Sequence, residues 1–281
     1  MSWYLDLVCP GWECLVEDDY TAVLPLTANK KYGIWYLFQP HFAQQLGIFA
    51  NAKIEKSIVE KFLTTIPAKF RFIEICINTE NSEGIAEKEI SGFSLKKNSN
   101  YELDLNKTYD ELYKNYSDNT KRNIRKGIAS NASVAFRKIG ISELIKLFKR
   151  NKGKEFSNLK NDYYQLLTSL IEAFTKKKLV KIVGAFKENG KLCGGAVFII
   201  YKKRALFLFS ATDEEAKKSR TMFFLIDKFI SEHAESLAIL DFEGSNNSNL
   251  ARFYKSFGAK EYVYLHLKKN NLPKYIQWLK K

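Results

Sequence analysis

Apolar positions recur along this chain with two periods, and the switches between them mark its elements. Residues 180–186 (VKIVGAF), 191–201 (KLCGGAVFIIY) and 204–211 (RALFLFSA) are apolar and β-branched runs separated by Asn189-Gly190 and Lys202-Lys203. A tight turn needs positive φ, which Asn-Gly supplies, so the three runs predict an antiparallel meander. Met222, Leu225, Ile226, Phe229 and Ile230 then fall at helical spacing behind Ser219 or Thr221 as a start, and LAILDFEG (237–244) returns as a strand. Beyond a polar turn, Leu250, Phe253 and Phe257 make a second helical stripe with Tyr254 beside it. Gly258 stops that helix, and a last strand runs to Leu267.

Upstream, 100–106 (NYELDLN) reads as an opening strand, Thr108-x-x-Glu111 and Ser117-Asp118 as the starts of two helices, and 141–151 and 161–177 as further helices. The first half is less regular. ECLVE (13–17) and TAVLPL (21–26) flank Asp18-Asp19-Tyr20 as a hairpin, GIWYLFQ and KFRFIEICIN read as strands, and EKSIVEKFLTTI as an amphipathic helix. The charged, Ser- and Asn-bearing stretch 78–100 marks a boundary. The expected domains are 1–97, 98–268 and a tail, 269–281, that closes with a short helix. The fold class is α+β, a mixed sheet with helices.

Composition narrows the function classes. With 281 residues, 46% hydrophobic and 14% aromatic, the chain has ample material for packed cores. Its net charge of +14, from 45 Lys and Arg against 31 Asp and Glu, favours a polyanionic ligand such as nucleic acid, an anionic membrane surface or a phosphate-rich cofactor, or else marks a lysine-rich surface. Four cysteines without CxxC spacing and three histidines argue against a metal site or a disulfide framework. No apolar run approaches the ~20 residues that span a bilayer, and the N-terminus lacks a signal-peptide pattern, so the expected location is cytoplasmic.

Two segments carry candidate chemistry. In Asp241-Phe242-Glu243 the carboxylates are two residues apart, so on a strand they share one face. The helix 118–129 sets Thr120, Ile124 and Ile128 on one stripe and Lys121, Arg122, Arg125 and Lys126 over much of the rest. Four cations within two turns repel one another unless an anion is near, and guanidinium groups bind phosphate oxygens in pairs, although a solvated face is the plainer reading. Gly194-Gly195 inside a strand suggests a bulge or a close backbone approach.

The order strand, crossover, helix with FYKSFGA (253–259), strand resembles the C-terminal half of a GNAT acyltransferase, whose helix there carries FYxxxGF. DFEGS (241–245) followed by FYKSFGA is similar to the variant of Fem-like tandem GNAT proteins, and Gln39-Pro40 with Gln44-Gln45-Leu46-Gly47 resembles a QPxFxQQLG run common among them. The resemblance implies a tandem GNAT fold with a reduced N-terminal half. It also implies transfer of an acyl group, from acyl-CoA as donor, to a small-molecule or peptide amine in a ternary complex. Tyr254 matches the family tyrosine that donates a proton to the leaving thiolate, while Glu243, with help from Asp241, is the candidate base for the amine. Where the family places a glycine-rich pyrophosphate loop, this chain has DEEAKKSRT (213–221) without glycine. There Ser219, Arg220 and Thr221, with Lys218, are the best phosphate candidates, joined by Arg122 and Arg125 in a segment like the family's SxxxRxxIRK. Two alternatives stand beside this reading. One is a Fem-like aminoacyl-tRNA-dependent transferase acting on a cell-wall precursor, and the other a non-catalytic nucleic-acid or partner-binding protein on the same scaffold.

Overall fold

The computed structural model describes residues 2–83, 85, 90, 92–130, 135–155, 159–244, 246–274 and 277. In chain order the first elements are α1 (Ser2–Val8), β1 (Glu13–Glu17), β2 (Ala22–Leu26), β3 (Ala28–Lys31), β4 (Ile34–Leu37), β5 (Phe49–Ala50), α2 (Lys56–Thr65), β6 (Phe70–Ile77), α3 (Thr79–Ser82) and β7 (Ser94–Asp104). There follow α4 (Tyr109–Lys114), α5 (Asp118–Ser130), β8 (Ala135–Lys138), α6 (Ile141–Arg150), α7 (Asn161–Lys176), β9 (Val180–Phe186), β10 (Leu192–Tyr201) and β11 (Arg204–Thr212). The last are α8 (Glu214–Lys218), α9 (Thr221–His233), β12 (Ile239–Gly244), α10 (Ser248–Lys255) and β13 (Lys260–Asn270). Two compact units result, one of residues 1–99 with 262–281 and one of 100–261. The chain passes between them inside β7 and again inside β13, so most of the strand that was expected to close the second domain belongs with the first.

In the first unit β1, β2 and β5 make a small antiparallel sheet. Strands β3 and β4 pair antiparallel, β4 lies parallel to β6 after the α2 crossover, and β6 pairs antiparallel with β13 from Leu265 to Asn270. Leu26, Leu37, Ile77, Phe70, Leu265 and Leu267 lie in its core. The glutamine-rich run finds a structural role here. Gln39 Oε1 accepts the Cys76 N–H at 2.7 Å, Gln45 Oε1 accepts that of Thr79 at 3.1 Å, and Leu46 trades backbone bonds with Cys76 and Asn78. Those bonds lace the loop 39–48 to the end of β6, where an unpaired backbone would be costly. The expected tail helix falls largely outside the described residues.

In the second unit the sheet order is β7-β12-β11-β10-β9-β8, antiparallel throughout except for the parallel pair β11 and β12. Helices cover both faces. Phe198 of β10 stacks on Phe229 of α9, with centroids 3.7 Å apart. Gly195, three residues earlier and on the opposite face, lies under Leu144 of α6. A Cβ at Gly195 would come within 2.8 Å of the Val183 carbonyl and 2.9 Å of Leu144 Cδ1. Gly195 therefore serves close helix-on-sheet packing, whereas a Cβ at Gly194, beside a register shift between Leu192 and Gly194, would meet only ordinary contacts. The capping box at Thr108 and Glu111 forms as the sequence predicts.

Candidate active site

The parallel pair is short. Strands β11 and β12 are hydrogen-bonded only from Arg204 to Leu206 against Ile239 to Asp241. Strand β11 then runs on to Thr212 and β12 to Gly244, and a cavity of about 450 Å³ opens in this unit. Its walls include Ser210 and Thr212 of β11, Met222 at the start of α9, Tyr163 of α7, and Phe253 and Tyr254 of α10. Leu250, expected on the core stripe, is exposed and lines the same cavity, while Tyr254 is buried and Phe257 wholly so.

Tyr254 is fixed from two sides. Its ring stacks on Phe242 of β12 at 4.8 Å and lies 6.0 Å from that of Tyr101. The far end of α10 is tied to α5 by hydroxyls, since Thr120 Oγ1 donates to Ser256 Oγ at 2.6 Å and the Ser117 N–H donates to the Ser256 carbonyl at 2.9 Å. Asn247, whose side chain accepts the N–H groups of Asn249 and Leu250, caps α10. Ser245, in the polar turn before it, lies outside the described residues.

The carboxylate pair departs from simple alternation. Glu243 has φ +59°, a left-handed conformation unusual for a residue other than glycine, at a register shift between Asp241 and Gly244. Period 2 requires extended backbone, so the expected sharing of one face stops at Asp241. Asp241 Oδ1 accepts the Glu243 N–H at 2.8 Å, and its Oδ2 lies 3.5 Å from the Arg204 guanidinium, which also binds Glu102 at 2.6 Å. Asp241 is thus spent on holding the bulge. Burial, and then the Asp241 charge, push the Glu243 carboxyl up to about 8. Burial and the nearby Glu243 push Tyr254 up to about 12. Tyr163 rises to about 12 through burial, Tyr164 and again Glu243. No motif or period singles out Tyr163, whose approach to Glu243 is made by tertiary folding of α7.

The phosphate candidates gather elsewhere in this unit. Helix α8 occupies the segment where a glycine loop was sought, capped by Asp213 through the Ala216 N–H at 2.7 Å. Its acids are ion-paired, Glu215 and Asp213 sharing Lys187 and Glu214 meeting Lys217. Arg220 is left-handed and exposed, and Lys218 is exposed. Thr221 is fully buried, with its hydroxyl 3.0 Å from that of the half-buried Ser219, so these two build the start of α9. Helix α5 closes on that start through Gly127, where a Cβ would lie 3.3 Å from the Arg220 carbonyl oxygen and from Phe224 Cβ. Gly127 and Ile124 are the buried side of α5, whereas Ile128, expected there, is 47% exposed. Arg122 and Arg125 stand on the exposed side, where they donate locally to the Asn119 side chain and to the Lys121 carbonyl.

Among the described residues no group of His, Cys, Asp and Glu is arranged to hold a metal, and no helix is long and apolar enough to cross a membrane. The sequence matches no family model and no curated protein. Solved structures do share its architecture. FemX is 13% identical, with 99% of this chain and 92% of that one covered and a TM-score of 0.63. The C-terminal domain of a putative lysylphosphatidylglycerol synthetase from Agrobacterium fabrum is 11% identical, with 98% and 88% covered and a TM-score of 0.57. A tandem GNAT protein from the clavulanic acid biosynthesis pathway is 11% identical, with 92% and 82% covered and a TM-score of 0.53. The chain has the fold of these proteins, a tandem GNAT arrangement.

Proposed function

We propose that this protein is an acyltransferase that moves an acyl group from an activated donor to the amine of a small molecule or peptide, by direct attack in the cavity walled by the end of β11 and by Tyr254. The observation that carries the reading is a buried phenol on the cavity wall, Tyr254, within the electrostatic reach of a carboxyl, Glu243, that is pushed up to about 8. A base near the working pH takes a proton from the acceptor ammonium efficiently, and the neutral amine then attacks the acyl carbonyl. The bond from the carbonyl carbon to the leaving group breaks as the amide forms. Tyr254, protonated throughout neutral pH, donates its O–H to the departing atom. Asp241 positions Glu243 without touching substrate.

The first donor reading is an acyl-CoA, with its phosphates met by Arg122, Arg125, Lys218 and Arg220 on the exposed faces of α5 and the α8–α9 junction. Two observations favour a second reading, an aminoacyl-tRNA. A phenol near 12 is too weak an acid to protonate a thiolate, whose conjugate acid lies near 8.5, and gives that leaving group only a hydrogen bond. An ester's departing alkoxide is far more basic and matches it. The loop that would cradle a pyrophosphate with backbone N–H groups is instead the helix α8.

A thermal-shift comparison with acetyl-CoA, longer acyl-CoAs and deacylated tRNA separates the readings, since a ligand bound to the native state alone raises the transition. Stabilisation by one class identifies the donor. If neither millimolar thioester nor micromolar tRNA shifts the melt, the non-catalytic binding role replaces the enzyme.

A further inference from the structure

A second cavity, of about 440 Å³, lies in the same unit between α9 and the edge strands β8 and β9. Register shows which side chains face it. Lys181 pairs with Phe198 and Lys138 with Val183, so Phe136, Lys138, Lys181 and Val183 share the sheet face on which Phe198 stacks against Phe229 of α9. Phe136 and Val183 are half-buried and present apolar surface over that aromatic stack. From the helix side come Leu225, Lys228 and Glu232.

The rim is unbalanced in charge. Glu232 is the single carboxylate among the lining residues and is shared by Lys181 at 2.6 Å and Lys228 at 3.1 Å. Lys181 is further occupied by His233 Nε2 at 3.2 Å. Lys138 makes no ion pair among the described residues. Arg137 also lines the cavity but by register faces the other side of the sheet, over Phe186, so on this face Lys138, Lys181 and Lys228 stand against Glu232 and two positive charges are uncompensated at the mouth of an apolar recess.

We propose that this cavity binds an amphipathic monoanion, a short acyl or aryl chain ending in a carboxylate, with the chain against Phe136 and Val183 and the carboxylate between Lys138 and Lys228. The volume falls within the range of small-molecule sites, about 300–1,000 Å³. Burial of the chain supplies the driving force, and the lysines select the charge. The site is separate from the cavity at Tyr254, whose walls share no residue with it.

Isothermal titration of the full chain with sodium octanoate tests this. The expected result is saturable one-to-one binding, weakened about tenfold or more in Lys138→Gln with Lys228→Gln, and about tenfold weaker for 1-octanol, which has the chain without the charge. Val183→Trp, which fills the recess, abolishes binding, while the two surface lysine changes leave folding intact and keep the test valid if the tryptophan does not fold. Any of three outcomes overturns the proposal: no saturation below about 10 mM, unchanged affinity in the double lysine variant, or inorganic phosphate binding as tightly as octanoate. Binding that survives the lysine changes but is lost in Tyr254→Trp places octanoate in the other cavity and equally overturns it.

Discussion

Glu243→Gln separates what the proposed base costs the fold from what it does in the reaction. Its carboxyl is pushed from an ordinary 4.5 up to about 8, by burial first and by the Asp241 charge second. Between those values the unfolded chain has released this proton and the folded chain has kept it, so stability falls as pH rises from about 4.5 to about 8 and is level above. At 1.36 kcal/mol per decade of proton concentration the ceiling is about 5 kcal/mol. Glu243 is half-buried and shares its field with Asp241, so solvent screening reduces the expected loss to roughly 2–3 kcal/mol. Glutamine keeps the shape and hydrogen-bonding capacity but does not titrate. Denaturant unfolding of both proteins at pH 5 and pH 9 should therefore give near-equal stabilities at pH 5 and a variant more stable by roughly 2 kcal/mol at pH 9. A difference that stays flat across that range refutes the raised carboxyl and, with it, the case for Glu243 as base. On an identified substrate, the ascending limb of kcat/KM near pH 8 should disappear in the variant.

Tyr254→Phe keeps the stack on Phe242 and removes the O–H, so turnover should drop by roughly 10²-fold with donor affinity nearly unchanged, and steady-state kinetics showing wild-type kcat would return the ring to a packing role. Arg122→Ala with Arg125→Ala should weaken binding of a phosphate-bearing donor and flatten its salt dependence, steeply for tRNA and slightly for CoA; an affinity and salt slope equal to wild type would leave both arginines as solvated surface. Gly195→Ala forces a Cβ to within 2.8 Å of a backbone oxygen and should cost roughly 1–3 kcal/mol in chemical denaturation, a loss that a value under ~0.5 kcal/mol would contradict.

The meander, α9, β12 and α10 were legible in the sequence because each couples a clear period to its own stop signal, Asn189-Gly190 or Gly258. What escaped was local structure decided at long range or by too few residues. Helix α8 is a five-residue polar run with no apolar stripe to betray it. Strand β8 has four residues, and its one strand partner among the described residues is β9. Thr120 fits a helical stripe, yet its burial is that of a hydroxyl bonded to Ser256, 136 positions away. The left-handed turn at Glu243 depends on the Asp241 side chain and on the partner strand β7, neither of which a period of two can register. The residue types of the pair Tyr254 and Glu243 were visible; the burial that sets their acidities was not.

The first unit is assembled from both ends of the chain, and this orders its birth on the ribosome. Residues 100–261 hold everything the second unit needs, and they leave the exit tunnel as one block. The first unit, although its residues 1–99 emerge before that block, cannot seat β13 beside β6 until residues 262–281 follow it. Domains commonly mature from the N-terminus onward during synthesis. Here the order is inverted: the block 100–261 yields the earlier finished body, and the body built on residues 1–99 waits, with the Phe72–Ile77 edge of β6 open, for β13 to be made.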